Sequence, residues 1–319
     1  MPTPAGQPAY VELLRPEALA KVSRLELIAR GLVEGFFTGL HKSPYKGFSV
    51  EFAEHRPYVP GDDVRDLDWR VYGKSDRYYI KQYIEETNLR CVVLLDASGS
   101  MQYRGDRAAR VDGRLLSKFE YARYAAAALA HLMMHQQDAA GLVTFDTKVR
   151  RYIPARGRTG HLRVLLEELA GTEAGGETVL APILHDIAER THRRGLIVIL
   201  SDLFDDPDAL LAALHHFRYR RHEVLLFQVM AEEELEFPFD RWSLFRDLEK
   251  DAHRVQLDPR TVRAEYLDRV GAFIRKIKDG CGQMDIDYVQ LSTRQPFDVA
   301  LAHYLAQRKR HVSVRRGKR

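Results

Sequence analysis

The feature that most narrows the fold is the run Cys91-Val92-Val93-Leu94-Leu95, five apolar residues without a polar face, which stops on Asp96. A half-buried strand would alternate. A run that is apolar throughout fits a strand covered on both sides, as central strands of parallel sheets are. Further strand-like runs lie at 140–145, 196–200, 223–229 and 286–291. Between and after them, apolar residues recur at helical spacing over 115–135, 161–169, 179–190, 207–217, 261–278 and 297–307. This alternation predicts a doubly wound α/β domain, a mostly parallel sheet with helices on both faces. Residues 149–153 read as a short edge strand. Residues 232–258 break the rhythm, and their aromatics Phe237, Phe239, Trp242 and Phe245 predict a sheet-edge insertion or a hairpin.

Asp96 falls at the carboxyl end of its strand, the edge where open α/β sheets bind ligands. In Asp96-Ala97-Ser98-Gly99-Ser100 the oxygen-bearing side chains alternate, and a tight turn permitted by Gly99 would gather one carboxylate and two hydroxyls around a point. Hard oxygen donors of this kind suit Mg²⁺ or Mn²⁺. The five residues match the D-x-S-x-S signature of von Willebrand factor A domains, which the chain thereby resembles. In that family the signature is the first part of a metal-ion-dependent adhesion site. The resemblance implies two more ligands, Thr178 in the loop Gly175-Gly176-Glu177-Thr178 and Asp202 after the run at 196–200. Its serines and threonine would contact the metal directly or through water, and its aspartates would bind directly or from behind. Thr178 has a competing role as N-cap of the helix that follows. Two carboxylates would leave a divalent ion electrophilic, with one position open to an acidic residue of another protein.

The chain has 319 residues, 45% of them hydrophobic, enough for one large domain with an appendage. Apolar residues from 13 to 40 recur at roughly helical spacing, and 48–52 alternates like a half-buried strand. Then comes Tyr58-Val59-Pro60-Gly61-Asp62-Asp63-Val64-Arg65-Asp66-Leu67-Asp68-Trp69, a turn leading into four aspartates. The EF-hand order of a calcium loop is missing. A salt-linked corner is expected instead, with Arg65 and Arg70 pairing the acids and Trp69 packed inward. Residues 78–84 read as a strand pairing with 48–52. Together with Tyr79, Lys81, Glu85 and Glu86, this stretch resembles the bacterial domain-of-unknown-function family fifty-eight, in which Y-x-P-G-D-D-x-R-x-x-D-W precedes a von Willebrand A-like domain. The expected organisation is an N-terminal helical and β extension at 1–88, the von Willebrand factor A-like domain at 89–307, and a basic tail at 308–319.

Enzymatic readings are weaker. Ser98 lacks the G-x-S-x-G elbow and a histidine partner for hydrolysis. A phosphatase built on Asp96 would want a second acid where Ser98 stands. His131 and His135 lie one helical turn apart without a catalytic glutamate between them, and His215-His216 is no stronger. A metal-dependent hydrolase of phosphate or acyl substrates is the alternative function. The net charge of +4 implies no nucleic-acid partner, and the tail has no interleaved aromatics. There is no run of roughly 20 apolar residues to span a bilayer, no signal peptide, and no disulfide framework from Cys91 and Cys281, so a cytosolic protein is expected. The resemblance implies a non-enzymatic interaction module, loaded with Mg²⁺ or Mn²⁺, that serves as an adaptor or chaperone-like partner of a MoxR-type AAA+ ATPase.

Overall fold

A computed structural model of the chain describes residues 50–59, 67–85, 89–111, 113–158, 160–249 and 253–295. The chain divides into two compact units, one of Phe37–Asn88 and the other of Leu89–Arg319 together with Met1–Phe36.

In the smaller unit, β1 (Val50–Pro57) pairs antiparallel with β2 (Tyr79–Glu85), and α1 (Trp69–Ser75) lies between them in sequence. The expected pairing of the 48–52 and 78–84 stretches is therefore present, longer than the alternation suggested. Asp68 is buried and accepts the Val71 N–H at 3.3 Å, and Tyr72 stacks on Tyr78 with ring centroids 4.6 Å apart. Trp69 corrects the sequence reading. It is 62% exposed, because Leu67 and Asp68 take the buried positions and Trp69 opens the helix with only its edge toward Tyr72. The helices expected within 13–40, the aspartates at 62, 63 and 66, Arg65 and the Arg70 side chain lie outside what is described.

In the larger unit the elements follow as β3 (Arg90–Asp96), a 3₁₀ turn (Ser100–Gln102), β4 (Arg110–Val111), β5 (Arg114–Leu115), α2 (Lys118–His135), β6 (Ala139–Phe145), β7 (Val149–Arg156), α3 (His161–Gly171), α4 (Leu180–Arg190), β8 (Leu196–Ser201), α5 (Pro207–Tyr219), β9 (Glu223–Met230), α6 (Glu232–Glu236), β10 (Ser243–Arg246), β11 (Arg254–Leu257), α7 (Pro259–Gln283) and β12 (Asp287–Ser292). Six strands form one sheet in the order β12-β9-β8-β3-β6-β7, parallel throughout except β7, which runs antiparallel to β6 at the edge. Helices cover both faces. Val92, Leu94, Val143, Phe145, Ile197 and Ile199 point into one core with α4, α5 and α7, while α2 packs across β3, β6, β8 and β9. That double cover is why the strand runs show no polar alternation. Residues 232–258 form the short helix α6 and a separate β10–β11 hairpin, not an added strand of the sheet. The helix expected at 297–307 and the tail at 308–319 lie outside the described residues.

Strand order reverses around β3, with β6 on one side and β8 on the other. Connections leave in opposite directions there, which opens a crevice at the carboxyl ends of β3 and β8.

Candidate metal centre at the carboxyl edge of the sheet

Register places the end of β3 beside the end of β8. Leu95 pairs with Leu200, so Asp96 and Ser201 come next on adjacent strands. Both are fully buried, and the Ser201 hydroxyl donates to Asp96 Oδ2 at 2.5 Å. Asp96 Oδ1 accepts the Ser98 N–H at 2.9 Å, which curls the chain so that Ser98 Oγ lies 3.1 Å from Ser100 Oγ. One carboxylate and two hydroxyls therefore share a turn, as the sequence pattern predicted. The reason for Gly99 differs from the one expected. Its φ of −63° and ψ of −38° suit any residue. What excludes a side chain is space, because a Cβ there would stand 2.3 Å from the Leu248 carbonyl oxygen and 2.9 Å from that of Gly176.

The loop carrying Thr178 is tied to this turn by backbone. Gly99 N–H donates to Gly176 O and Gly175 N–H to Ala97 O, each at 2.8 Å. Arg150 on β7 reinforces the junction, donating to the Gly175 carbonyl at 2.7 Å and the Glu173 carbonyl at 2.5 Å while pairing with Asp146. Thr178 does not cap α4. The cap position is Val179, and Asp205 Oδ2 accepts the Leu180 and Ala181 N–H groups instead. Thr178 Oγ1 is thus released from that duty, and it donates to Glu249 Oε1 at 2.8 Å.

Asp202 is 1% exposed and engaged by a residue the sequence reading passed over. Ser117 and Glu120 form a capping box that starts α2, which sets Lys118 at the first helical position. Its Nζ is fully buried, 2.8 Å from Asp202 Oδ2 and 2.6 Å from Glu234 Oε1, and 5.0 Å from the centre of the Phe204 ring. Burial alone would strip the lysine of its proton, but Asp202 and Glu234 hold its pKa above the ordinary value. A cation in the first turn also opposes the helix dipole, so the two carboxylates are what keep it there. The signal in the sequence was a lysine between Ser117 and the apolar start of a helix, where a solvated face would not begin.

Burial and a neighbouring carboxylate both act on Asp96. Asp96 is pushed up to about 7, first by burial and next by the neighbouring Asp202 charge, against the lowering effect of the Ser201 and Ser98 hydrogen bonds. Burial raises Glu234 as well, against the lowering effect of Lys118. A buried carboxylate with hydroxyls at its side and a second carboxylate close by fits a divalent, oxygen-seeking cation. Asp96, Ser98 and Ser100 suit its direct surroundings. Asp202, with Lys118 on one oxygen, suits support from behind, and Thr178 reaches the same edge from the adjoining loop. Among the described residues no group of three or more His, Cys, Asp or Glu is arranged to hold a metal, which restricts any cation here to a set made chiefly of hydroxyls.

Residues 54–272 match the family described as protein of unknown function DUF58. Uncharacterized proteins of Mycobacterium bovis and Mycobacterium tuberculosis are 26% identical over 302 residues, 92% of this chain and 91% of theirs. Among solved structures, the conserved hypothetical protein BatB of Bacteroides thetaiotaomicron aligns at 15% identity and a TM-score of 0.43, covering 70% of this chain and 99% of that one. An aerotolerance-related membrane protein of Bacteroides fragilis aligns at 16% identity and a TM-score of 0.42, covering 69% and 99%. The name of that second neighbour, a membrane protein, stands against the expectation of a cytosolic chain, and at this similarity it places the chain in no compartment. No helix among the described residues is long and apolar enough to cross a membrane, and the lack of such a span assigns no compartment.

Proposed function

The chain belongs to the DUF58 family, and from that premise we propose that its larger unit is a von Willebrand factor A-like domain acting as a metal-dependent protein-interaction module rather than an enzyme. The observation that carries this reading is the buried Asp96 carboxylate held between Ser98 and Ser201, with Ser100 and Asp202 beside it at the crevice of the sheet. Asp96, Ser98 and Ser100 would hold Mg²⁺ or Mn²⁺, with Thr178 and Asp202 completing the surroundings. When bound, the cation supplies an electrophilic position that a carboxylate from another protein can fill. The chain's own residues prepare that position. Ser201 orients Asp96, and Lys118 balances the charge of Asp202. Arg150 keeps the two loops in register.

The partner class is a protein presenting an aspartate or glutamate. The resemblance to domains found beside MoxR-type AAA+ ATPases supports such an ATPase as that partner, with this chain as an adaptor or chaperone-like subunit. Isothermal titration with Mn²⁺ is expected to show one equivalent bound in the wild type and none in Asp96→Ala. Co-purification of the ATPase is expected in Mg²⁺ and its loss in chelator. A wild-type protein that takes up no cation would sink the proposal.

A further inference from the structure

Thr178 presents two donors side by side, and one carboxylate of the same chain occupies both. Its hydroxyl donates to Glu249 Oε1 at 2.8 Å and its N–H to Glu249 Oε2 at 3.2 Å. The glutamate is delivered by the backbone that follows β10. Asp247 Oδ1 accepts the Glu249 N–H at 2.8 Å, and the Leu248 carbonyl lies where a Cβ on Gly99 would have to be. This backbone thus passes directly over the Asp96–Ser100 turn. Thr178 thus acts as a receptor for a carboxylate, with its hydroxyl and its N–H both aimed at the two oxygens of Glu249.

We propose that Glu249 is a built-in occupant of the site, standing where the acidic residue of a partner would bind, and that a partner must displace it. The inference rests on the metal-dependent reading above and names the competitor for that site. Two features make the occupant displaceable rather than permanent. The β10–β11 hairpin is held by an aromatic cluster, in which Phe245 stacks on Phe237 and packs edge-on against Phe239, and Phe237 also meets Tyr266. The hairpin is otherwise a separate two-stranded sheet whose Leu244 and Val255 are more than half exposed, and past its Phe245 contact Glu249 reaches Thr178 through two hydrogen bonds. Releasing those two bonds leaves the aromatic cluster intact. An occupied receptor lowers apparent affinity for an outside carboxylate by the fraction of molecules in which it is free.

The full chain is loaded with Mn²⁺ and titrated with acetate, following the relaxation of metal-bound water, in the wild type, Glu249→Gln and Glu249→Ala. Acetate is expected to bind about tenfold more tightly to both variants than to the wild type, with Mn²⁺ affinity changed by less than about threefold. Equal acetate affinity with intact Mn²⁺ uptake would show that Glu249 is only a structural tie. A Mn²⁺ affinity lowered about tenfold or more in Glu249→Gln would make it a resident ligand. Either result overturns the inference while leaving the metal reading in place. Absence of Mn²⁺ uptake in the wild type defeats both. Should the variants fail to fold, amide exchange on the wild type decides the matter. Acetate added to the Mn²⁺ form is expected to speed exchange over residues 243–249 several-fold, and unchanged exchange would overturn the proposal.

Discussion

Lys118 shows how far a single residue can depart from its type. Lysine is almost never fully buried unless paired, and here Asp202 and Glu234 provide the pairing while Phe204 offers a ring face. Removing the ammonium leaves two carboxylates against one another in a water-poor pocket. Lys118→Met is expected to cost about 3–5 kcal/mol in urea unfolding, since an orphaned buried charge is worse than none. Lys118→Met combined with Asp202→Asn should recover part of that loss, because it also removes a charge the lysine balanced. Asp96, Ser98, Ser100 and Asp202 were legible because acids and hydroxyls at strand ends stand out against apolar runs. Lys118 and Glu249 were not. Their partners lie 84 and 71 residues away in sequence, and the capping box around Lys118 marks a helix start without naming those partners.

Among the elements, the strand runs β3, β6, β8 and β9 emerged nearly to the residue, because burial on both faces writes an unbroken apolar signal. Helix starts were less exact. Helical spacing began at residue 115, yet α2 begins at Lys118, where the Ser117 and Glu120 side chains satisfy the first free N–H groups. The turn between β3 and the 3₁₀ segment depends on tertiary neighbours too. Gly99→Ala brings a methyl group to 2.3 Å from the Leu248 carbonyl, a backbone atom that cannot rotate away. The substitution is expected to cost about 1–3 kcal/mol and to loosen the contact of Glu249 with Thr178. Thermal unfolding reads the first effect. Faster amide exchange at Thr178 reads the second, and wild-type exchange in the variant would refute that coupling.

For the whole molecule, two dependences follow from buried charge. Asp138 is 4% exposed, accepts the Leu89 N–H with one oxygen, and is pushed up to about 6 by burial, above the ordinary carboxylate range. The folded chain therefore keeps a proton on Asp138 that the unfolded chain releases, so the contribution of Asp138 to stability falls as pH rises from about 4 to about 6 and is level above that. Asp138→Asn should remove this slope, worth up to about 3 kcal/mol, which parallel denaturant titrations of variant and wild type at pH 4, 5, 6 and 7 would measure. Mg²⁺ at a hundred times its dissociation constant should stabilise the chain by about 2.7 kcal/mol. Melting would then rise by a few degrees in the wild type and stay fixed in Ser98→Ala. The sequence alone determined the layered α/β architecture, because runs of uniform hydrophobicity admit few arrangements that bury them. It also determined the acids and hydroxyls at the strand ends, because strand polarity fixes which edge they reach. Only the tertiary structure decided what each of those groups touches. It gave Asp202 to a lysine, Thr178 to a glutamate and the α4 cap to Asp205, since a side chain's partner is set by distance in space, and the chain brings distant segments together only after the core has formed.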